Sequence, residues 1–280
     1  MSVKVLVSLT SIPRRLDTSL IEVLDSLAGL GHAIVVSIPD EYRKWGRATV
    51  PEVLGRYDNV IVWRPQKDYG PATKLLGALE YLERHPGFDY IVTLDDDRYY
   101  SDPRGFIEYL LEHARRRPGC VITIGGIKLV RYPYFSKNGL SYKNLGYVDA
   151  VADFRGVLYP TAIFERDRRI FTLMDKLLPG VFHEDDAYIG VAMSAMGVPI
   201  YAVRTYEGRA GETVSLLRTS EGKRSAVQEQ AEKDRRVNEM EIYQQAVREG
   251  YLPNRAGRRR SLAGRISLAL RTLAGRGTRR

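Results

Sequence analysis

Three consecutive carboxylates, Asp95, Asp96 and Asp97, follow an apolar run at residues 90–94. If the strand continues through them, side chains alternate, and Asp95 and Asp97 point to one side while Asp96 points to the other. Two hard oxygen ligands on one side suit Mg²⁺ or Mn²⁺, which fill their remaining positions with water and phosphate oxygens. Since ligands of open α/β sheets bind at the carboxyl ends of strands, we predict a divalent-cation site at Asp95 and Asp97. The alternative is a solvated acidic turn.

A second acidic group, Glu184, Asp185 and Asp186, precedes a helix-like segment at 187–196. One carboxylate is enough to cap a helix, and the helix dipole favours acidic residues there. Three in a row exceed that need and indicate a general base opposite the cation site, with Asp185 or Glu184 in that role. Catalysis and helix capping remain two alternatives for this group.

A third candidate site lies at residues 68–74, where Gly70 and Pro71 lead into a helix. Free N–H groups at a helix start attract anions, and Lys74, one turn further on, could reach a phosphate. Asp68, at the start of the segment, is a further candidate for binding the nucleotide-sugar donor. The alternative is an ordinary helix start with a lysine that extends to solvent. The GxxxxGK pattern of a P-loop is absent, which argues against a P-loop ATPase.

The turn after the first strand carries the hydroxyl of Thr10 and the cation of Arg14. Both suit a nucleotide base or a diphosphate at the same sheet edge. The alternative is a turn whose arginines are simply solvated.

The elements that must position these residues alternate between strands and helices, which predicts a largely parallel sheet covered by helices. Predicted strands lie at 3–9, 33–38, 59–63, 90–94, 121–124, 157–164 and 199–203. Helical spacing of apolar residues predicts helices over 16–30, 71–84 and 106–116, and a charged surface helix within 221–249.

With 280 residues and 44% hydrophobic content, the chain can bury a full core in one large or two small domains. It has no apolar run of about 18 residues that could span a membrane. The first residues lack the basic start and cleavage site of a signal peptide, so we expect a cytoplasmic protein. The only cysteine, Cys120, lies in an apolar run and is expected in the core.

The formal charge of +9 is located entirely in the C-terminal tail, 254–280, which holds nine arginines and no acidic residue. Removing these nine from 43 basic residues leaves 34, equal to the 34 acidic residues. The body at 1–253 is thus formally neutral, and no nucleic-acid partner is expected. The tail is either a basic amphipathic helix that binds an anionic membrane surface through 258–276, or disordered.

Taken in order, the segments 8–13, 68–74, 94–97 and 184–186 resemble the GT-A class of nucleotide-sugar glycosyltransferases, particularly bacterial and viral proteins near family 2. The resemblance covers residues 3–205. It implies a GT-A, Rossmann-like α/β/α sandwich over 1–253 with a mostly parallel central sheet. Residues 1–127 would form the sugar-nucleotide-binding half, 128–205 the acceptor-side half, and 206–253 a C-terminal loop and surface helix.

The resemblance also implies roles for individual residues. Asp95–Asp97 is similar to the DxD motif that holds Mn²⁺ or Mg²⁺ and the nucleoside-diphosphate sugar, and Asp185 matches the base of inverting members. Asp40 stands near the position of the usual acidic residue for base recognition. No Q/RxxRW motif follows, which argues against a processive synthase.

The expected activity is metal-dependent transfer of a hexosyl or deoxyhexosyl group to a hydroxyl of a glycan or lipid-linked acceptor, as in cell-envelope polysaccharide synthesis. Candidate acceptor residues are Tyr132 and Tyr134, which could stack on a sugar, with Asp153, Gly156 and Asp186. A peripheral location on the cytoplasmic membrane face would fit a lipid-linked acceptor. A nucleotidyltransferase and a non-enzymatic polyanion- or membrane-binding protein remain alternatives.

Overall fold

The computed structural model describes residues 3–129, 140–151, 155–177, 182, 184–208, 211–212, 214–216 and 240–252. The predicted tail at 254–280 lies outside these residues, as do Tyr132, Tyr134 and Asp153. No helix within the described ranges is long and apolar enough to cross a membrane.

An eight-stranded sheet forms the centre of the molecule. Its strands are β1 (Val5–Thr10), β2 (Ala33–Ser37), β5 (Val60–Trp63), β6 (Tyr90–Thr93), β8 (Val121–Ile124), β11 (Gly146–Val148), β13 (Val157–Pro160) and β14 (Ile200–Val203). Their order across the sheet is β11-β14-β8-β13-β6-β1-β2-β5. The pairs β5–β2, β2–β1, β1–β6 and β8–β14 are parallel, whereas β13 runs antiparallel to both β6 and β8. The sheet is therefore mixed and mostly parallel.

Smaller two- and three-stranded sheets lie around the central one. Their strands are β3 (Glu41–Tyr42), β4 (Gly46–Arg47), β7 (Arg98–Tyr100), β9 (Gly126–Leu129), β10 (Leu140–Lys143), β12 (Ala150–Val151), β15 (Glu207–Gly208), β16 (Gly211–Glu212) and β17 (Val214–Leu216).

Helices cover both faces of the central sheet, because the apolar side chains of its strands alternate between two cores. The helices are α1 (Ser19–Leu27), α2 (Thr73–Arg84), α3 (Pro103–Arg116), α4 (Ala162–Arg166), α5 (Arg169–Lys176) and α6 (Asp185–Ala195). In β2, Val35 joins the core under α2 and α6, whereas Ile34 and Val36 join the core under α1 and α3. The predicted α/β/α sandwich is confirmed.

One prediction about a single element was wrong. The apolar run 157–164 is not one strand, because β13 ends at Pro160, which has no N–H for a sheet ladder, and α4 follows. Residues 240–248, the described part of the predicted surface helix, are helical; Ile242, Tyr243 and Ala246 are fully buried, whereas Glu241 and Arg248 are exposed. The prediction that Cys120 lies in the core is confirmed, since it is 5% exposed.

Candidate functional site

A cleft of about 350 Å³ lies where β1 and β6 end, beside the start of α2. Sequence-distant segments converge there. Its lining consists of Thr10, Ser11, Ile12, Arg15, Tyr42, Lys44, Trp45, Asp68, Gly70, Pro71, Lys74, Asp95, Asp96, Asp97, Phe182, Asp185 and Asp186. The cleft thus contains residues from all four segments that carried the family resemblance.

The three carboxylates of Asp95–Asp97 lie in a turn and not on a strand. β6 ends at Thr93 and the chain turns into β7, so the alternation expected of a strand does not continue through the acidic residues. All three line the cleft; Asp95 pairs with Lys74, whereas Asp96 and Asp97 both pair with Arg15.

Arg15 holds two of these carboxylates. Its guanidinium lies 2.7 Å from Asp96 Oδ1 and 3.4 Å from Asp97 Oδ2, and Ser11 Oγ donates to Asp96 Oδ2 at 2.5 Å. Burial raises the pKa of Asp96 in spite of Arg15. Burial by itself lowers the pKa of the Arg15 guanidinium. The attraction of the neighbouring carboxylates, of which Asp96 contributes most, outweighs burial, so the pKa is raised. A second arginine, Arg98, places its Nε 3.6 Å from Asp97 Oδ1.

Lys74 joins the two acidic groups of the sequence. Its Nζ lies 2.7 Å from Asp95 Oδ1 and 3.1 Å from Asp185 Oδ2. The lysine side chain is only 5% exposed, so it does not extend to solvent, and the surface alternative for Lys74 does not hold. One ammonium group thus lies between carboxylates from two distant segments of the chain.

The first turns of α2 are held against the sheet, which fixes Lys74. Ser8 Oγ on β1 donates to the backbone oxygen of Lys74 at 2.5 Å. Gly77 lies so close to Ser37 of β2 that an added Cβ would be 2.3 Å from Ser37 Oγ. The backbone and the charged end of Lys74 are therefore both fastened to neighbouring elements.

Gly70 allows the second acidic segment to approach this loop. Its φ is +62°, and an added Cβ would lie 2.2 Å from the backbone oxygen of Phe182, a distance that no side chain tolerates. Asp68 shapes the same loop by accepting from the backbone N–H of Gly70 at 2.8 Å and of Arg43 at 2.9 Å. Because Phe182 stands three residues before Asp185, this contact helps to bring α6 to Lys74.

The second acidic group begins α6. Glu184 occupies the N-cap position, but its side chain makes no capping hydrogen bond. Asp185 and Asp186 line the cleft, whereas Glu184 is buried at 2% exposure and outside the lining. Asp185 and Asp186 lie in the first turn of α6, where the helix dipole favours acidic residues, and Asp185 is also the carboxylate placed beside Lys74.

The other candidates from the sequence lie in different places. Thr10 lines the cleft and donates through Oγ1 to the backbone oxygen of Ser37 at 2.8 Å. Arg14 is exposed and does not line the cleft. Asp40, 79% exposed at its side chain, pairs with Arg64 at 3.3 Å and is also outside the lining.

Gly156 has a packing role in the structure. Its φ is +111°, and an added Cβ would lie 3.0 Å from the Phe106 ring and 3.1 Å from Leu94 Cδ2. The absence of a side chain at Gly156 thus allows Phe106 and Leu94 of the core to pack against its backbone. Gly156 does not line the cleft.

Sequence reasoning did not select Arg15, Tyr42, Lys44 and Trp45, which all line the cleft. Arg15 stood beside Arg14 in the same motif, and only the short helical turn Pro13–Arg15 decides which arginine faces inward. The other three lie in or between the two-residue strands β3 and β4, which are too short to show a periodic pattern.

The donor set of the cleft fits a hard divalent cation held in part by substrate. The described residues contain no cluster of three or more His, Cys, Asp or Glu side chains that could hold an ion. Asp95 and Asp97 nevertheless offer carboxylate oxygens within one cleft. Two such ligands suffice for Mg²⁺ or Mn²⁺ when phosphates and water complete the shell.

No protein-family profile and no curated protein sequence matches the chain. Among solved structures, the crystal structure of S. aureus TarS 1-349 has a TM-score of 0.45 at 14% identity, over 72% of this chain and 58% of that chain. The same fragment in complex with UDP-GlcNAc matches with a TM-score of 0.45 at 14% identity, over 75% of this chain and 60% of that chain.

CMP:2-keto-3-deoxy-manno-octonic acid synthetase complexed with CTP matches with a TM-score of 0.45 at 12% identity, over 75% of this chain and 93% of that chain. The chain thus matches about 58% of the TarS fragment's length. Likeness at this level carries no information about activity, so the function proposed below depends on the cleft.

Proposed function

We propose that the protein is a glycosyltransferase that moves a sugar from a nucleoside-diphosphate sugar to a hydroxyl of a glycan or lipid-linked acceptor. One observation carries the proposal: Lys74 Nζ lies within 2.7 Å of Asp95 and 3.1 Å of Asp185, two carboxylates from distant motifs, inside one cleft. A cation suited to a diphosphate and a carboxylate suited to a base are thereby adjacent.

In the proposed reaction, the acceptor oxygen attacks the anomeric carbon of the donor sugar and forms the new glycosidic bond. The bond from that carbon to the β-phosphate oxygen breaks, and the nucleoside diphosphate leaves with both bonding electrons. The acceptor hydroxyl gives its proton to the carboxylate of Asp185. An inverting route requires this base on the face of the sugar opposite the leaving group, whereas a retaining route would not use Asp185 as a base.

The charge of the leaving diphosphate needs cations. Lys74 and Arg15 both line the cleft and are already paired with carboxylates there, so each is oriented before substrate arrives. Asp95 and Asp97 would hold Mg²⁺ or Mn²⁺, which supplies further positive charge to the diphosphate when bound.

The acceptor side remains a prediction. Asp186 lines the cleft and is the described candidate nearest the base. Tyr132, Tyr134 and Asp153 lie outside the described residues, as does the segment 258–276 proposed to bind an anionic membrane surface.

The function is tested by incubating the full chain with UDP-, GDP- and dTDP-sugars, with Mn²⁺ and with Mg²⁺, and measuring nucleoside-diphosphate release by mass spectrometry. We expect slow donor hydrolysis with at least one nucleotide, reduced in Asp185→Asn. The control is Asp175→Asn, an exposed carboxylate paired with Lys67 and absent from the cleft lining.

A parallel incubation with nucleoside triphosphates and free sugars separates the proposal from a nucleotidyltransferase, which would release pyrophosphate. Pyrophosphate release without donor hydrolysis would overturn the glycosyltransferase assignment. Failure of the protein to bind any nucleotide would overturn both.

A further inference from the structure

A short hairpin forms one wall of the cleft. β3 and β4 pair antiparallel, Glu41 with Arg47 and Tyr42 with Gly46, and the residues between them form a tight turn. Tyr42, Lys44 and Trp45 from this hairpin, called hairpin 41–47 here, line the cleft beside the acidic residues.

Hairpin 41–47 is attached to the cleft at three points. The buried Tyr42 donates from its hydroxyl to the backbone oxygen of Ser11 at 2.7 Å. The backbone N–H of Arg43 donates to Asp68 Oδ2 at 2.9 Å, and its guanidinium lies 5.0 Å from the centre of the Phe182 ring. The hairpin is therefore held in place relative to the site before a substrate binds.

Trp45 is a large aromatic residue that packing of the fold does not require at this position. It lines the cleft and is 45% exposed. The edge contact with Tyr42, at 5.9 Å and 69° between the rings, supports the indole from one side. Lys44 Nζ lies 5.6 Å from the indole ring, which adds a cation to the same wall.

We propose that Trp45 is the platform on which the nucleobase of the sugar-nucleotide donor stacks; the inference rests on the function proposed above and names the residue that recognises the donor's base. A nucleobase offers a flat π-face, and aromatic side chains stack on such faces. The indole, supported by Tyr42 on one side and exposed in the cleft, offers such a face, and the support reduces the ordering that stacking requires.

The arrangement of the cleft favours the base over the donor sugar as the stacked group. The sugar must reach Asp185, a residue only 6% exposed, whereas Trp45 is far more open to solvent. Base and sugar lie at opposite ends of a nucleotide sugar, with the diphosphate between them. The hairpin is also fastened to Ser11 and Asp68, in the half of the chain that the motifs assign to the nucleotide.

The chain offers a fluorescence test because it contains only two tryptophans, Trp45 and Trp63. Trp63 lies on β5 and contacts Tyr81, His85 and Arg84, and it is not part of the cleft lining. Trp63→Phe leaves Trp45 as the single reporter, and Trp45→Phe leaves Trp63 as the matched control. Both are titrated with UDP, GDP, dTDP and inorganic pyrophosphate, which lacks a base.

We expect the nucleoside diphosphate that binds to quench Trp63→Phe strongly and Trp45→Phe weakly, and pyrophosphate to quench neither. Calorimetry should show a Kd about 10-fold weaker for Trp45→Ala than for wild type, with partial recovery in Trp45→Phe. Pyrophosphate affinity should be the same in all variants.

Equal nucleoside-diphosphate affinity for Trp45→Ala and wild type would overturn the stacking proposal while leaving the proposed function intact. An unchanged nucleotide Kd with weakened binding of the full nucleotide sugar would also overturn it, and would assign the indole to the sugar. If wild type binds no nucleoside diphosphate at all, the proposed function and this proposal fail together.

Discussion

Removing the ammonium group of Lys74 tests whether the cleft is held together by one shared cation. In Lys74→Met the apolar volume is kept, but Asp95 and Asp185 lose the nitrogen that lies 2.7 and 3.1 Å from them. Asp185 is 8% exposed at its side chain and cannot recover much hydration, whereas Asp95, at 25%, can recover part of it. We therefore expect unfolding free energy to fall by about 3 kcal/mol, the lower end for breaking a buried ion pair.

A double-mutant cycle with Asp185→Asn separates the ion pair from other effects of the methionine. Asp185→Asn alone should cost about 1 kcal/mol, because Lys74 keeps Asp95 as a partner. The double variant should cost about 2 kcal/mol and not the additive 4, since methionine no longer leaves a charged Asp185 beside it. The expected coupling is thus about 2 kcal/mol.

Urea unfolding at pH 7, followed by circular dichroism, measures these values, provided that the slope with urea is the same in all variants. The control cycle is Lys67→Met with Asp175→Asn, whose ion pair at 2.9 Å is 49% and 67% exposed and should show a coupling below about 1 kcal/mol. Equal coupling in the two cycles would refute the conclusion that Lys74 is a buried cation shared by both acidic groups.

Three further predictions concern single residues. Asp185→Asn should lower kcat by about 10²- to 10⁴-fold while the donor Kd, measured by calorimetry, stays within a few-fold of wild type; near-normal turnover would remove Asp185 from the role of base. Asp97→Ala should abolish Mn²⁺-dependent donor binding but lower the unfolding free energy by no more than about 1 kcal/mol, because its ion pairs with Arg15 and Arg98, at 3.4 and 3.6 Å, are long and partly exposed; retained Mn²⁺ dependence would place the cation elsewhere. Burial raises the pKa of the Cys120 thiol to about 11, so the reactive thiolate is suppressed below that pH and forms as the pH rises through it. At pH 8 the thiol should react with a disulfide reagent at least about 100-fold more slowly in the folded chain than in urea, and equal rates would show that Cys120 is accessible.

The sequence allowed the central sheet to be predicted because its strands are short apolar runs separated by helices with regular apolar spacing. The predicted helices and strands, apart from the 157–164 run and the C-terminal helix, begin and end within three residues of the observed bounds, whereas α5, β11 and the short strands of the smaller sheets had no predicted counterpart. The run 157–164 was predicted as one strand because apolar residues continue after Pro160, but Pro160 has no N–H for a sheet ladder and the residues after it form a helix.

The chemistry of the cleft was predicted better than its contacts. Lys74, Asp95 and Asp185 were each selected for their residue type and position, but the sequence does not show that one lysine pairs with both carboxylates. That contact depends on the close approach of Gly70 to Phe182, which is a feature of the tertiary structure. Likewise, the choice between Arg14 and Arg15 depends on the rotation of a single helical turn.

Strand β13 also has a mechanical consequence. It comes from the later part of the chain, yet it pairs with β6 on one side and β8 on the other, so strands from the earlier and later parts of the chain form one continuous hydrogen-bonded sheet. The two sides of this sheet cannot move apart without breaking hydrogen bonds in its middle. Any adjustment of the cleft to a bound molecule must therefore come from the segments that border it.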